Sequence, residues 1–529
     1  MKFKLHHILF LLITTISYSQ VKEIYNVNDF NTKDCGTIHT NAKIYHYTFH
    51  IVGKKSKNDI ENGILTIFNE DLTEHKNIKF DIESHVRFLE VKNNNNSLIV
   101  AFGDEKKYTL SFKIFSLDGE LLKSKEITYN KLLFSPSSYK NSFLSQIGDF
   151  NLIHPIENKG YIITETIKKK RIGYNIYYLA IDGNDWSYES PSDHNNRKSV
   201  APMFANEEVV VLMEKEWGSV YDQQPTFKAI IIDAKIGKEL FSVSHDYETK
   251  QNFYTKAMVS KKGDILLFGE LYDDDNNYPD DNYTIGYFIE QYSKSGELLK
   301  ETRIRFDDNA FKKSLGVDDN AKQKDFGIIH FYDFLETNNT FYAIGQMAKR
   351  EKKGASVFKI LASQVVGGAI GGLISNNWKT TYTLSDLIIV KFDSELNFVN
   401  SQKLQKNETY TGLNTMSVRP QFNLLVMQDQ GKLDFIYQQQ NQNNEIDFFL
   451  FSDKKVENEI LDYKIQKASL ISDSFQVETF ASLDLNGVDE FTIIPRNNKS
   501  ALLVTQNFQD KKITIKVMEN KINPYFHKK

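Results

Sequence analysis

Strongly apolar runs recur along this chain at a long period, each in the same local setting. Residues 97–102, 161–164, 209–212, 265–268, 341–344, 433–436 and 502–504 are nearly all apolar, the pattern of a strand covered on both faces. A second β-rich run follows most of them, as at 112–115, 229–232 and 387–390. Then comes a turn of Asp, Gly, Ser or Asn and a polar strand. Residues 108–127 and 283–304 each write the full hairpin, since two β runs joined by so short a turn pair with one another. Aligned on the apolar residue after the turn, the series is Leu72, Leu121, Trp186, Leu240, Leu298, Leu396 and Val456.

A unit of roughly 60 residues with a buried strand, an intermediate strand and a polar outer strand resembles a β-propeller blade. An inner strand precedes them less clearly. One blade cannot bury both faces, but stacking blades around an axis does, and closure removes long edges. The expected fold is all-β, a propeller of seven or eight four-stranded blades. Stacked sandwiches share the local spacing, but the long unit with a fixed internal order favours blades. The last unit, with 502–504 and 513–517, lacks an outer strand, while 22–27 is a spare strand-like segment. The N-terminus is therefore expected to complete the last blade.

The resemblance is architectural and spans nearly the whole chain; it is to secreted bacterial β-propeller-like proteins and reaches no named functional family. No Gly-His…Trp-Asp pair and no kelch glycine pair occurs. Residues Ser116, Leu117, Asp118 and Gly119 approach the Asp-box turn of sialidase-like propellers but lack its later glycine and tryptophan.

The ends give a compartment. Lys2 and Lys4, an apolar run at 8–16, and the small residues Ser17 and Ser19 make residues 1–19 read as a signal peptide, with Gln20 starting the mature chain. The run is too short to span a bilayer, which takes about 20 residues. The expectation is export to the periplasm, cell envelope or exterior, with 20–529 forming a single domain. Cys35 is the one cysteine, so an internal disulfide is excluded and stability must come from packing. The net charge of −4, with both signs interspersed, argues against a nucleic-acid partner.

One stretch interrupts the repeat, between Leu298 and Leu396. The insertion, 349–378, opens with the charged run 349–353 and continues with an apolar, glycine-rich segment at 355–375. Read as a helix, it sets Ser363, Gly367, Gly371 and Ser375 in a small-residue stripe beside an Ile370 ridge, the pattern that lets backbones approach closely. Trp378 closes it. Each glycine costs a helix about 1 kcal/mol, so a partner surface is expected: the propeller itself, a second copy or a membrane. Gly367 and Gly372 have P-loop spacing, but Leu373 stands where the lysine is needed.

Chemistry is sparsely marked. Asp273, Asp275 and Asn277 mimic the opening of a calcium loop, but Tyr278 and Thr284 occupy the positions that need glycine and glutamate. A solvated acidic loop is the plainer reading, with calcium a weak alternative and no other cofactor implied. His46 and His50 share one face of a strand roughly 13 Å apart, too far to bind one metal as neighbours. No His-Glu-x-x-His, Gly-x-Ser-x-Gly or paired-cysteine motif is present. The 69 acidic residues leave room for a carboxylate pair acting on glycans, and Trp186, Trp217 and Trp378 could stack on sugars. The first expectation is a non-enzymatic exported protein binding a protein, glycan or envelope component. The alternatives are a glycan-acting enzyme using channel carboxylates, and a membrane-associated or self-assembling envelope component acting through 355–375.

Overall fold

The computed structural model describes residues 20–52, 60–104, 106–128, 152–167, 173–191, 197–217, 226–244, 252–272, 284–316, 327–350, 379–414, 424, 427–428, 433–440, 445–457, 460–471, 474–497 and 499–519. They fold as a β-propeller of eight antiparallel sheets. Seven blades take four strands in succession. Blade one runs β2 (Val27–His39), β3 (Ile44–Val52), β4 (Glu61–Asn69), β5 (Glu74–Ile82) from the inside outward. Blade eight has β31 (Glu490–Asn497), β32 (Ser500–Asn507) and β33 (Lys512–Glu519), and takes its outer strand from the N-terminus, β1 (Val21–Ile24). Val21 pairs with Lys516 and Ile24 with Ile513. The leftover strand at the start of the chain thus completes the last blade, as its pattern predicts.

The core is divided into eight apolar layers, each lying between two neighbouring blades. Alternation along the second strands explains this. In β15 (Val209–Trp217) of blade four, Val209, Val211 and Met213 pack toward blade five. Val210 and Leu212 pack toward blade three. A continuous apolar run is what a strand with two buried faces requires.

Two details differ from the expected repeat. The hairpin markers are not one position. Gly119, Gly296, Leu72 and Leu396 all sit at the left-handed residue of the same three-residue turn, with φ of 84°, 87°, 62° and 60°. In each, that residue donates its N–H back to the residue three before it, as Leu72 does to Asn69 and Gly119 to Ser116. Leucine tolerates the strain because Leu72 and Leu396 are buried against the neighbouring blade, whereas Leu121 and Leu298, after the turn, are exposed.

The seventh unit is also shifted by one strand. Residues 433–436 lead into the innermost strand β27 (Phe435–Gln440), and Val456 lies near the end of the second strand β28 (Ile446–Glu457). The opening of this inner strand is apolar because Phe435 stacks on Tyr332 of blade six, ring centroids 4.6 Å apart, and Tyr437 stacks on Phe449 at 4.4 Å.

Candidate functional site

Antiparallel order puts the turns between first and second strands, and between third and fourth strands, on one face of the ring. The remaining connections all fall on the other face. The first kind are short throughout. Turns of neighbouring blades touch there: Asn158 N–H donates to Asn94 O at 2.7 Å, and Lys294 Nζ meets Glu208 at 2.6 Å. The second kind includes every long connection, from residue 128 to 153, 272 to 284 and 350 to 379 among them. The acidic segment with Asp273, Asp275 and Asn277 joins β19 (Ile265–Tyr272) to β20 (Thr284–Tyr292) in blade five. The segment with Ser363, Gly367, Ile370, Gly371, Ser375 and Trp378 joins β23 (Thr340–Arg350) to β24 (Lys379–Phe392) in blade six. Those side chains lie outside the described residues, but both segments leave neighbouring blades at the same rim. Lys349 and Arg350, expected to open the insertion, are instead the last residues of β23.

Blade six extends past this rim. Its third strand β24 has 14 residues, about 46 Å at ~3.3 Å per residue, whereas the matching strand of blade two, β8 (Thr109–Ser116), has 8. The outer strand β25 (Phe398–Leu404) covers only the second half of β24, ending opposite Leu387. A fifth strand, β26 (Thr409–Asn414), returns to cover the first half, with Thr409 opposite Leu384 and Asn414 opposite Lys379. Blade seven is extended beside it, β28 and β29 (Ile460–Ile471) having 12 residues each. The sequence pattern did not show this three-stranded stalk, because its strands are polar and β26 pairs out of order.

A buried carboxylate fixes the stalk's base. Asp434 of blade seven is 1% exposed. It accepts Gln346 Nε2 of β23 at 3.0 Å and the Thr409 hydroxyl of β26, and pairs with Lys406 Nζ at 3.0 Å. Gln346 also donates to Ser385 O at 3.0 Å where β24 is irregular, and accepts the Tyr332 phenol. Tyr382, Leu384, Leu424 and Met427 seal the root in the layer between blades six and seven.

Other buried acids lie in the same half of the ring, where second strands change from apolar to acidic residues: Glu165, Glu214 and Glu270. Glu214 and Glu165 are held by neighbouring side chains. Tyr174 of blade three donates to Glu214 at 2.8 Å, and burial followed by the Glu214 charge pushes that phenol up. Lys198 lies 3.5 Å from Glu214 and 3.3 Å from Glu216. Burial opposes its charge, but the two carboxylates more than offset that and hold the ammonium above its ordinary range. Tyr177 donates to Glu165 at 2.8 Å and is pushed up to about 12 by burial and that charge.

Among the described residues, no three His, Cys, Asp or Glu side chains gather as metal ligands. Cys35 is buried, and burial keeps its thiol protonated. Trp186 packs rather than presenting a sugar platform: its indole donates to Ala234 O of blade four at 2.6 Å and sits over Gly237, φ 70°, where a Cβ would meet the ring at 2.5 Å. The Trp217 side chain and Trp378 lie outside the described residues. His46 and His50 are both buried on one face of β3, toward blade eight.

The model of a family of unknown function, DUF6770, matches residues 1–517. No curated protein matches the chain significantly. Solved structures that resemble it include a post-proline cleaving enzyme from Rickettsia typhi, at 11% identity over 89% of this chain and 57% of that one, TM-score 0.37. The polysaccharide lyase Uly1 is 11% identical over 96% of this chain and 94% of that one, TM-score 0.34. The periplasmic gluconolactonase PpgL of Pseudomonas aeruginosa is 9% identical over 80% and 96%, TM-score 0.32. The chain spans about half the length of the prolyl peptidases and oligopeptidase it resembles, 54% to 57%.

Proposed function

Because the chain belongs to the DUF6770 family, whose function is unknown, we propose a role from its own geometry: an exported, non-enzymatic binding protein that engages a protein, glycan or envelope component on the face bearing the long connections. The observation that carries this reading is the segregation of every long connection to one rim, with the blade-six stalk projecting from it. A ring that carries its long segments on one face is built to present them. The signal-like residues 1–19 support export. The stalk favours one particular means of engagement, through 355–375, because that segment joins its strands β23 and β24. No helix among the described residues is long and apolar enough to cross a membrane.

The test places a photo-cross-linking side chain at exposed rim positions of each face in the native host. Lys349 and Arg350 serve for the stalk face, and Asp118 and Ser295 for the short-turn face. A discrete adduct from the stalk face alone is expected. Equal adducts from both faces would overturn the reading. So would release of unsaturated or reducing sugars from a glycan panel by the purified chain, which would favour the glycan-acting alternative.

A further inference from the structure

Seven of the eight interblade layers bring apolar side chains from the second strands of both blades together, such as Val211 with Leu267. The eighth, between blades eight and one, does not. There β32 offers Leu502 and Val504, but β3 contributes no apolar side chain to the layer. Tyr47, Phe49 and Ile51 of β3 pack toward blade two, so alternation turns His46, Thr48 and His50 to the seam. The two histidines and the threonine are 1%, 3% and 1% exposed. Among the described residues, His46 Nε2, Thr48 Oγ1 and His50 Nδ1 have no hydrogen-bond partner, and neither has Gln506 Oε1 of β32. His46 Nδ1 lies 3.2 Å from the Thr37 hydroxyl of its own blade.

This is also where the chain closes on itself. Blade one can leave blade eight only if β1, joined directly to β2, peels from β33, and that ladder is four residue pairs long. The charged groups around His46 resist a further positive charge, whereas the carboxylate beside His50 favours one and burial alone opposes it. His46 faces Arg496 and His39, and Arg496 is already engaged by Glu70 O at 2.9 Å and the Glu70 carboxylate at 3.5 Å. Glu519 stands 4.0 Å from Arg496. His50 faces Glu74, which is held by Lys22 of the closing strand at 2.8 Å.

We propose that this seam is an acid-operated latch, in which protonation of His46 and His50 opens the ring by releasing the N-terminal strand. Inside the seam both rings stay neutral: burial, then Arg496 and His39, lower His46 to about 3, and burial lowers His50 to about 4 despite Glu74. An opened seam returns them to the ordinary value near ~6.5, so opening takes up protons and is favoured as pH falls below that value. At pH 5.0 each histidine then favours the open form roughly 30-fold, and the pair roughly 1,000-fold.

The experiment is amide hydrogen exchange on the full exported chain at pH 7.5 and 5.0, corrected for intrinsic rates. Exchange in β1 and β33 is expected to rise at least ~30-fold, the share of one histidine, while the layer between β15 and β19 does not change. His46→Gln/His50→Gln is expected to abolish the rise. A second variant, Glu23→Cys/Thr514→Cys, cross-links directly opposed residues of the closing pair and keeps both histidines; it too should abolish the rise. Exchange that rises equally in both layers, or that persists in the cross-linked ring, overturns the latch.

Discussion

Replacing Asp434 by asparagine tests whether the stalk is anchored by charge. The carboxylate and the Lys406 ammonium are 1% and 0% exposed as side chains and 3.0 Å apart. Breaking such a pair by removing one partner costs about 3–5 kcal/mol, because the other charge stays buried. The amide keeps the shape of the carboxylate and can still accept from Gln346 or Thr409, so the loss is assigned to Lys406. Unfolding entropy of about 2.1 cal/mol/K per residue over roughly 500 residues gives ~1 kcal/mol per degree, hence a fall of about 3–5 °C in calorimetry. Removing both charges, as Lys406→Met/Asp434→Leu, leaves no uncompensated buried charge, a replacement that is often neutral or stabilising for a buried pair, and Gln346 keeps its bond to Ser385 O. The double variant should therefore melt above the single one, and exchange in β26 should rise in the single variant before that in blades two and three. A single variant within about 1 °C of wild type, the scale of ~1 kcal/mol, or a double variant less stable than the single, would refute the reasoning.

Deleting residues 20–30 removes the closing strand together with buried Val27 and Phe30; those two side chains alone are worth about 4 kcal/mol, so calorimetry should show a fall of at least ~4 °C, and an unchanged value would reject closure. Leu396→Gly relieves a left-handed leucine, about 1–2 kcal/mol, but empties a side chain that is 1% exposed, at about 3–5 kcal/mol; net destabilisation of about 2 kcal/mol is expected in urea titration. His330 accounts for part of the acid sensitivity outside the seam. Burial lowers it to about 4 although Gln428 Oε1 lies 2.8 Å from its Nε2. Its neutral form is native, so stability is intact above ~6.5 and falls by about 3 kcal/mol as pH drops to about 4. His330→Gln should flatten that part of the urea-midpoint profile.

Much of the ring could be read from the chain because each blade is local. An apolar run, a β-rich run, a turn and a polar strand lie within roughly 60 residues, and only a covered sheet satisfies that order. The spare segment near residue 22 predicted the closure for the same reason: the last unit was one strand short. Local pattern misleads where tertiary context decides a residue's place. Leu72 and Leu396 passed for the residue after a turn, since nothing local says that a buried leucine will occupy a glycine's conformation. Blade seven's inner strand looked like a second strand because Phe435 packs across to blade six. The stalk left no periodic signal, and Asp434 acquires its role from Gln346, 88 residues earlier.

The two buried histidines show the same boundary most clearly. Alternation alone placed His46 and His50 on one face and removed a shared metal site, and the structure agrees that both lie in the core. What that face meets is set by ring closure, which brings residues from opposite ends of the chain together, Arg496 Nη2 to Glu70 O being 426 positions apart. Away from blade eight, a polar stripe on a second strand would face a sheet whose strands follow one another in the chain. In blade one the same stripe faces a sheet completed by a separate N-terminal strand of four residues. The cost of burying His46 and His50 as neutral rings is thus placed at the interface that parts when β1 peels from β33.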